Sequence, residues 1–205
     1  MSVFRFSIVL AALVLLPAPS LSQTVTEDFE NEAQVTSRLG DILLLGEQEP
    51  WQGRVAEGAY VLSNEKPGAV KYFYFQLEQN GARTVSVDIS ADSADKAGGA
   101  GILYGFSPEA KTYLAFTFNE DRYTIWKRGP QGLRPAMSGT NEAFGQPGPK
   151  RLTVRHTDQG AEFLVDGVRA GGLSSSDITG TDVGLIAIGK GEFRFDNLSI
   201  GVNSP

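Results

Sequence analysis

Apolar and polar residues alternate with a period of two along most of this chain from Gln23 onward, and helical periodicity is nearly absent. Lys71–Leu77 is the clearest stretch: Phe73, Phe75 and Leu77 share one face, and Tyr72, Tyr74 and Gln76 the other. Val85, Val87 and Ile89 likewise oppose Thr84, Ser86 and Asp88, and Leu114, Phe116 and Phe118 oppose Tyr113, Ala115 and Thr117. Tyr123 and Ile125 oppose Arg122, Thr124, Trp126 and Arg128. Leu152 and Val154 oppose Arg151, Thr153 and Arg155, while Phe163 and Val165 oppose Glu162 and Asp166. Each stretch predicts a strand with one apolar face and one mixed face, as in antiparallel sheets that pack on one side only.

Turn residues punctuate these runs. Asn80-Gly81, Asn119-Glu120-Asp121 and Asp166-Gly167 predict tight hairpins, because Asn, Asp and Gly tolerate the positive φ such turns require. Val183–Ile188 is apolar on both parities, which predicts a strand buried in the middle of the fold. In Glu192–Ile200 the apolar parity passes from Phe193 and Phe195 to Leu198 and Ile200, predicting a bulge at Asp196-Asn197. Gly129–Pro149 is rich in Gly and Pro and predicts a surface loop with a short strand around Leu133–Met137; Glu30–Leu39 predicts one short helix. Ten or more short strands joined by hairpins predict an all-β fold, a two-sheet antiparallel jelly-roll sandwich.

The first 22 residues read differently. Arg5 precedes a largely apolar run, Phe6–Leu16, then Pro17, Pro19 and the small-residue triplet Ser20-Leu21-Ser22. This predicts a cleavable export signal over residues 1–22 and one domain over 23–205, because the run is too short to span a bilayer. The expected compartment is periplasmic or secreted. Cysteine is absent, so an exported domain must draw its stability from burial, or from a bound cation, rather than from disulfides. The formal charge is −6, with no basic run, which argues against nucleic acid or anionic lipid as a partner.

Several segments, in order, carry a family likeness. They are Glu27-Asp28-Phe29, Gly99-Ala100-Gly101-Ile102-Leu103-Tyr104, Tyr113-Leu114-Ala115-Phe116 and Tyr123-Thr124-Ile125-Trp126-Lys127-Arg128. Leu152-Thr153-Val154-Arg155, Phe163-Leu164-Val165-Asp166-Gly167, Val183-Gly184-Leu185-Ile186 and Phe193–Ile200 complete the set. Together they resemble the concanavalin A-like lectin/glucanase superfamily, in particular exported bacterial laminin-G-like and 3-keto-disaccharide hydrolase-like domains. The resemblance implies a sandwich whose first and last strands pair, with a curved sheet that many relatives use to bind glycans.

The chemistry that the residues permit is narrower. The Glu-x-Asp-x-x-Glu spacing that gives glucanases of this superfamily two carboxylates on one strand face is missing. The 3-keto-disaccharide hydrolase-like pattern is also incomplete: Gly98–Gly101 carries no Asn or Ser, and Lys111-Thr112-Tyr113 opens the next strand without an acid. A single histidine, His156, and no Gly-x-Ser-x-Gly elbow leave no hydrolase triad, and one histidine without cysteine cannot build the usual zinc or copper site. The mixed face is more informative. Tyr72, Tyr74, Tyr113 and Trp126, with Asp88, Arg122 and Arg128, are the residue types that stack on sugar C–H faces and hydrogen-bond hydroxyls. The same rings can instead pair across strands. Asp28 and Asp196, at the expected junction of first and last strands, offer carboxylates for a structural calcium; Asp92/Asp95 and Asp177/Asp182 offer others, and all can equally cap turns. The expected function is a non-catalytic binding module for a glycan or envelope polymer. The alternatives are a glycoside-cleaving enzyme and a structural or adhesive protein that meets a protein partner.

Overall fold

The alternating segments pair into two antiparallel sheets packed face to face. The computed structural model describes residues 23–77, 83–93, 95, 98–145 and 147–202. The expected export signal over residues 1–22 and the hairpin expected at Asn80-Gly81 lie outside the described residues. The chain starts with β1 (Gln23–Glu27), helix α1 (Glu32–Leu39), β2 (Gly46–Gln48), β3 (Trp51–Ala56), β4 (Ala59–Asn64) and β5 (Val70–Phe75). It continues through β6 (Arg83–Ser93), β7 (Gly99–Ser107), β8 (Thr112–Asn119), β9 (Arg122–Gly129) and β10 (Gly132–Thr140). A 3-10 turn at Glu142–Phe144 leads to β11 (Lys150–Thr157), β12 (Gly160–Val165), β13 (Val168–Ser174), β14 (Asp182–Ile188) and β15 (Gly191–Val202).

One sheet has nine strands in the order β13-β12-β11-β6-β15-β4-β3-β2, with β1 also pairing with β15; the other has six, β10-β9-β8-β7-β14-β5. The first and last strands therefore pair, with Glu27 opposite Leu198. The core lies between the sheets and takes the residues that alternation assigned to it. Phe73, Phe116, Phe118 and Ile125 meet Val85, Val87, Leu152, Val154, Phe163 and Phe195, all buried. Phe116 and Phe163 pack edge to face at 5.3 Å. Burying each such ring contributes about 1.5–3 kcal/mol, which gives a domain without disulfides its stability.

Local chemistry fixes the joints. Asp166 and Gly167 both take positive φ, 49° and 79°, in the β12–β13 hairpin. The register of β15 shifts between Asp196 and Ser199, with Asn197 at φ 49°, so the parity change is a bulge. Asn31 caps α1 by accepting the Gln34 N–H at 3.1 Å, and Val35 and Leu39 anchor the helix to the core. One segment departs from the sequence reading. Gly129–Pro149, expected as mainly loop, contains the nine-residue strand β10. Pro135 is admitted because β10 is a sheet edge whose register with β9 shifts between Pro135 and Met137, so the missing N–H breaks no essential ladder. Among the described residues no helix is long and apolar enough to cross a membrane.

Candidate functional site

The outer face of the six-stranded sheet brings together most of the aromatic residues expected at a binding surface. Register defines two rows across it: Trp126, Ala115, Leu103, Gly184 and Tyr74; and Thr124, Thr117, Gly101, Ile186 and Tyr72. Glycine at positions 101 and 184 is a packing requirement. A Cβ there would fall 1.8 Å from the carbonyl oxygens of Phe116 and Phe73 respectively. The rings lean over this low floor. Tyr72 reaches Tyr113 with centroids 5.4 Å apart, although β14 and β7 lie between their strands, and Phe106 lies 5.5 Å from Tyr72 and 4.7 Å from Tyr74.

The rings differ in access. Trp126 is 8% exposed and donates its indole N–H to the Thr117 hydroxyl at 2.9 Å; Tyr113 is 5% exposed. Both are packed with Leu103, Ala115, Ile186 and Ile188 into a second apolar cluster outside the sandwich core. Burial pushes the Tyr113 phenol up to about 12, partly opposed by the nearby Arg128. Tyr72, by contrast, is 37% exposed and Tyr74 half-buried. These two line a cleft of about 470 Å³ at the free edge of β5, together with Asp41, Ile42 and Gln76. The accessible part of the face is thus the tyrosine edge, while the indole and Tyr113 form its support.

Arg128 stands opposite Tyr113 on this face. Arg122 shares the face but lies six residues along β9, roughly 20 Å away at the rise of an extended strand, and pairs in the ladder with Asn119. Asp88 is on the other sheet, on the outer side of β6, where it accepts from Arg151 at 3.1 Å and from Asn197 at 2.9 Å. This corrects the expectation that Asp88 joins the tyrosines. Alternation tells which side of its own sheet a residue faces, not which sheet the strand enters. Asp41 and Ile42, in the segment after α1, and Phe106 went unassigned by sequence. For Phe106 a signal existed, since Gly99–Phe106 is small or apolar on both parities and so buries both faces.

The chain termini of the sandwich gather a separate polar region. A crevice of about 450 Å³ between α1 and the nine-stranded sheet is lined by residues including Asp28, Gln34, Arg38, Arg151 and Asn197. Its neighbouring acids are already paired: Glu27 with Arg38 and Asp88 with Arg151, each at 3.1 Å. Asp28 accepts the Glu30 N–H at 3.2 Å, and the two Asp196 oxygens accept from the Asn197 backbone at 2.6 Å and side chain at 3.1 Å. Burial, aided by the charges of Asp88, Glu30 and Asp28, raises the Asp196 carboxyl above its ordinary range. Among the described residues no three carboxylates or imidazoles converge to hold a metal ion. Asp28 and Asp196, the carboxylates expected to offer calcium ligands, are both engaged by N–H groups of their own turns. Asp95 and Asp177 act as ties: Asp95 accepts the N–H groups of Gly68 and Lys190, and Asp177 pairs with Lys127 at 2.6 Å.

The order of strands, the pairing of first and last, and the two packed sheets define a two-sheet antiparallel jelly-roll sandwich. Among solved structures, the chain is similar to a Bacillus subtilis protein with a galectin-like fold (12% identity, 88% of this chain and 96% of that one, TM-score 0.58). It is also similar to the catalytic domain of an endo-1,3-β-glucanase, a laminarinase from Thermotoga petrophila (10%, 90% and 99%, TM-score 0.59). A third is the carbohydrate recognition domain of Emp46p (13%, 81% and 90%, TM-score 0.57). At these identities the likeness establishes the fold. No protein-family model matches the sequence, and no curated protein matches it either.

Proposed function

We propose that this protein is an exported, non-catalytic module that binds a glycan or similar envelope polymer at the tyrosine edge of the six-stranded sheet. The observation that carries the reading is the cleft beside Tyr72 and Tyr74. An exposed ring and a half-exposed ring stand next to the carboxylate of Asp41 and the amide of Gln76, the combination that suits stacking on a sugar ring and hydrogen bonding to its hydroxyls. That domains named as a laminarinase catalytic domain and a carbohydrate recognition domain share this sandwich supports a saccharide ligand by analogy of fold. The non-catalytic part of the reading rests on the cleft's acids. Asp41 is the one carboxylate among its described lining residues, whereas glycosidic cleavage by either common route uses a pair. The export assignment rests on Arg5–Ser22.

The test is a glycan screen with the chain lacking residues 1–22, repeated on Tyr72→Ala. Binding to one glycan class that Tyr72→Ala weakens about tenfold or more, with the melting temperature kept within about 2 °C, is the expected outcome. Silence across plant, microbial and host glycans removes the reading. Binding that ignores Tyr72→Ala moves the site elsewhere, and release of reducing sugar from the bound glycan makes the protein an enzyme.

A further inference from the structure

The sole histidine of the chain, half-buried, joins the buried Arg83 and Tyr104 in a polar chain at one end of the sandwich. His156, near the end of β11, places Nδ1 2.8 Å from the hydroxyl of Tyr104 on β7. Arg83, at the start of β6 and 4% exposed, donates Nε–H to that same hydroxyl at 3.4 Å. Its guanidinium lies 5.3 Å from the centre of the Tyr104 ring, and Nη1 donates to the Thr181 carbonyl. Among the described residues no carboxylate is paired with Arg83.

Hydrogen-bond satisfaction favours one state of the histidine. The Tyr104 oxygen accepts from Arg83, and every group in the chain is satisfied when the phenol proton goes to a lone pair on His156 Nδ1. That arrangement is the neutral tautomer with its proton on Nε2. Adding a proton at Nδ1 would aim two donors at one phenol oxygen, leave the phenol proton without an acceptor, and set a second cation beside a buried guanidinium. The charged groups around the imidazole are Arg83 from β6 and Asp158 from its own turn; Arg155 and Glu162 pair with each other on the outer face of the sheet. Burial first, and then Arg83, hold His156 below its ordinary value, with Asp158 opposing.

The same contacts lead to the outer face. Thr181 ends the segment that follows β13, and this segment lies against a bulge in β7. The Ile178 side chain fills the space a Cβ at Gly105 would need, and Gly180 lies so close to the Phe106 carbonyl that a Cβ would fall 2.1 Å from it. Phe106 in turn packs on Tyr72, Tyr74 and Tyr113.

We infer that the Arg83–Tyr104–His156 chain is an acid-released clasp, which on protonation of His156 loosens residues 178–181 and the Gly105–Phe106 bulge beneath the aromatic face. The clasp acts whatever that face binds. Its stabilisation is complete above about pH 6.5, where the unfolded histidine is also neutral, and is lost as pH falls from there toward the lower folded value.

With one histidine, a proton NMR titration of the intact protein reads the group without assignment ambiguity. The expected midpoint lies below 6.5, and Tyr104→Phe moves it upward because the neutral imidazole loses its donor. Hydrogen exchange, corrected for intrinsic rates, should show residues 104–106 and 178–182 losing protection about tenfold between pH 7.5 and 5.0, while β8 stays protected. His156→Gln, which keeps an acceptor and takes no proton, should abolish that loss. A midpoint at or above 6.5 overturns the clasp. So does unchanged protection of the two segments at pH 5.0, or an equal loss in His156→Gln.

Discussion

Phe116 and Trp126 stand on adjacent strands of the same sheet, on opposite faces, and both are almost wholly buried. Phe116 is closed in by the second sheet, through Phe163. Trp126 has no sheet above it. It is covered by neighbours on its own face and held by the Thr117 hydroxyl. The contrast shows two ways to bury a ring: between layers, where partners come from distant parts of the chain, and within one layer, where a curtain of side chains closes over a floor of Gly101, Gly184 and Ala115. The second way ends at an edge, and there Tyr72 and Tyr74 remain reachable.

The comparison can be broken or sharpened by measurement. Phe116→Ala should cost about 3–5 kcal/mol in denaturant unfolding, because a cavity between two packed sheets cannot collapse. A loss below about 1 kcal/mol would mean that the layers are not closely packed there. Trp126→Ala should cost less, about 2–3 kcal/mol, since water can enter from the outer side. An equal or larger loss would place the indole in the core proper. For the same reason Trp126→Ala is a poor probe of ligand contact, and Tyr72→Ala a better one. The smallest effect is in alkali. Tyr113 should remain protonated past pH 10 and ionise near 12 when followed by phenolate absorbance. The unfolded chain releases this proton at about 10, so the associated stability is present below that pH and is lost as pH rises toward 12. Ionisation of Tyr113 near 10 would show that the outer face is open to water.

Much of this architecture was legible in residue order because period-two alternation is a local consequence of strand geometry. Phe73, Val87, Phe116, Leu152 and Phe163 went inward as their parity required, and the parity change at Asp196-Asn197 marked a real bulge. Alternation was silent where both faces are buried. β4, with Tyr60, Val61 and Leu62 all inaccessible, has no polar side to reveal it. The Gly/Pro signal in Gly129–Pro149 concealed the full length of β10, of which only Leu133–Met137 was expected, because composition does not say that a strand will lie at an edge where Pro is tolerated.

For the candidate surface, the order of residues determined that Tyr72, Tyr74, Tyr113 and Trp126 face away from the core, since each lies one step from a residue that must be inside. Tertiary structure alone decided that their strands share one sheet while Asp88 enters the other, and that two of the four rings are covered and two are not. The physical reason is range. Which side a residue takes depends on its two chain neighbours, but which strands lie beside it depends on pairings across tens of residues, and exposure on what those distant strands place above it.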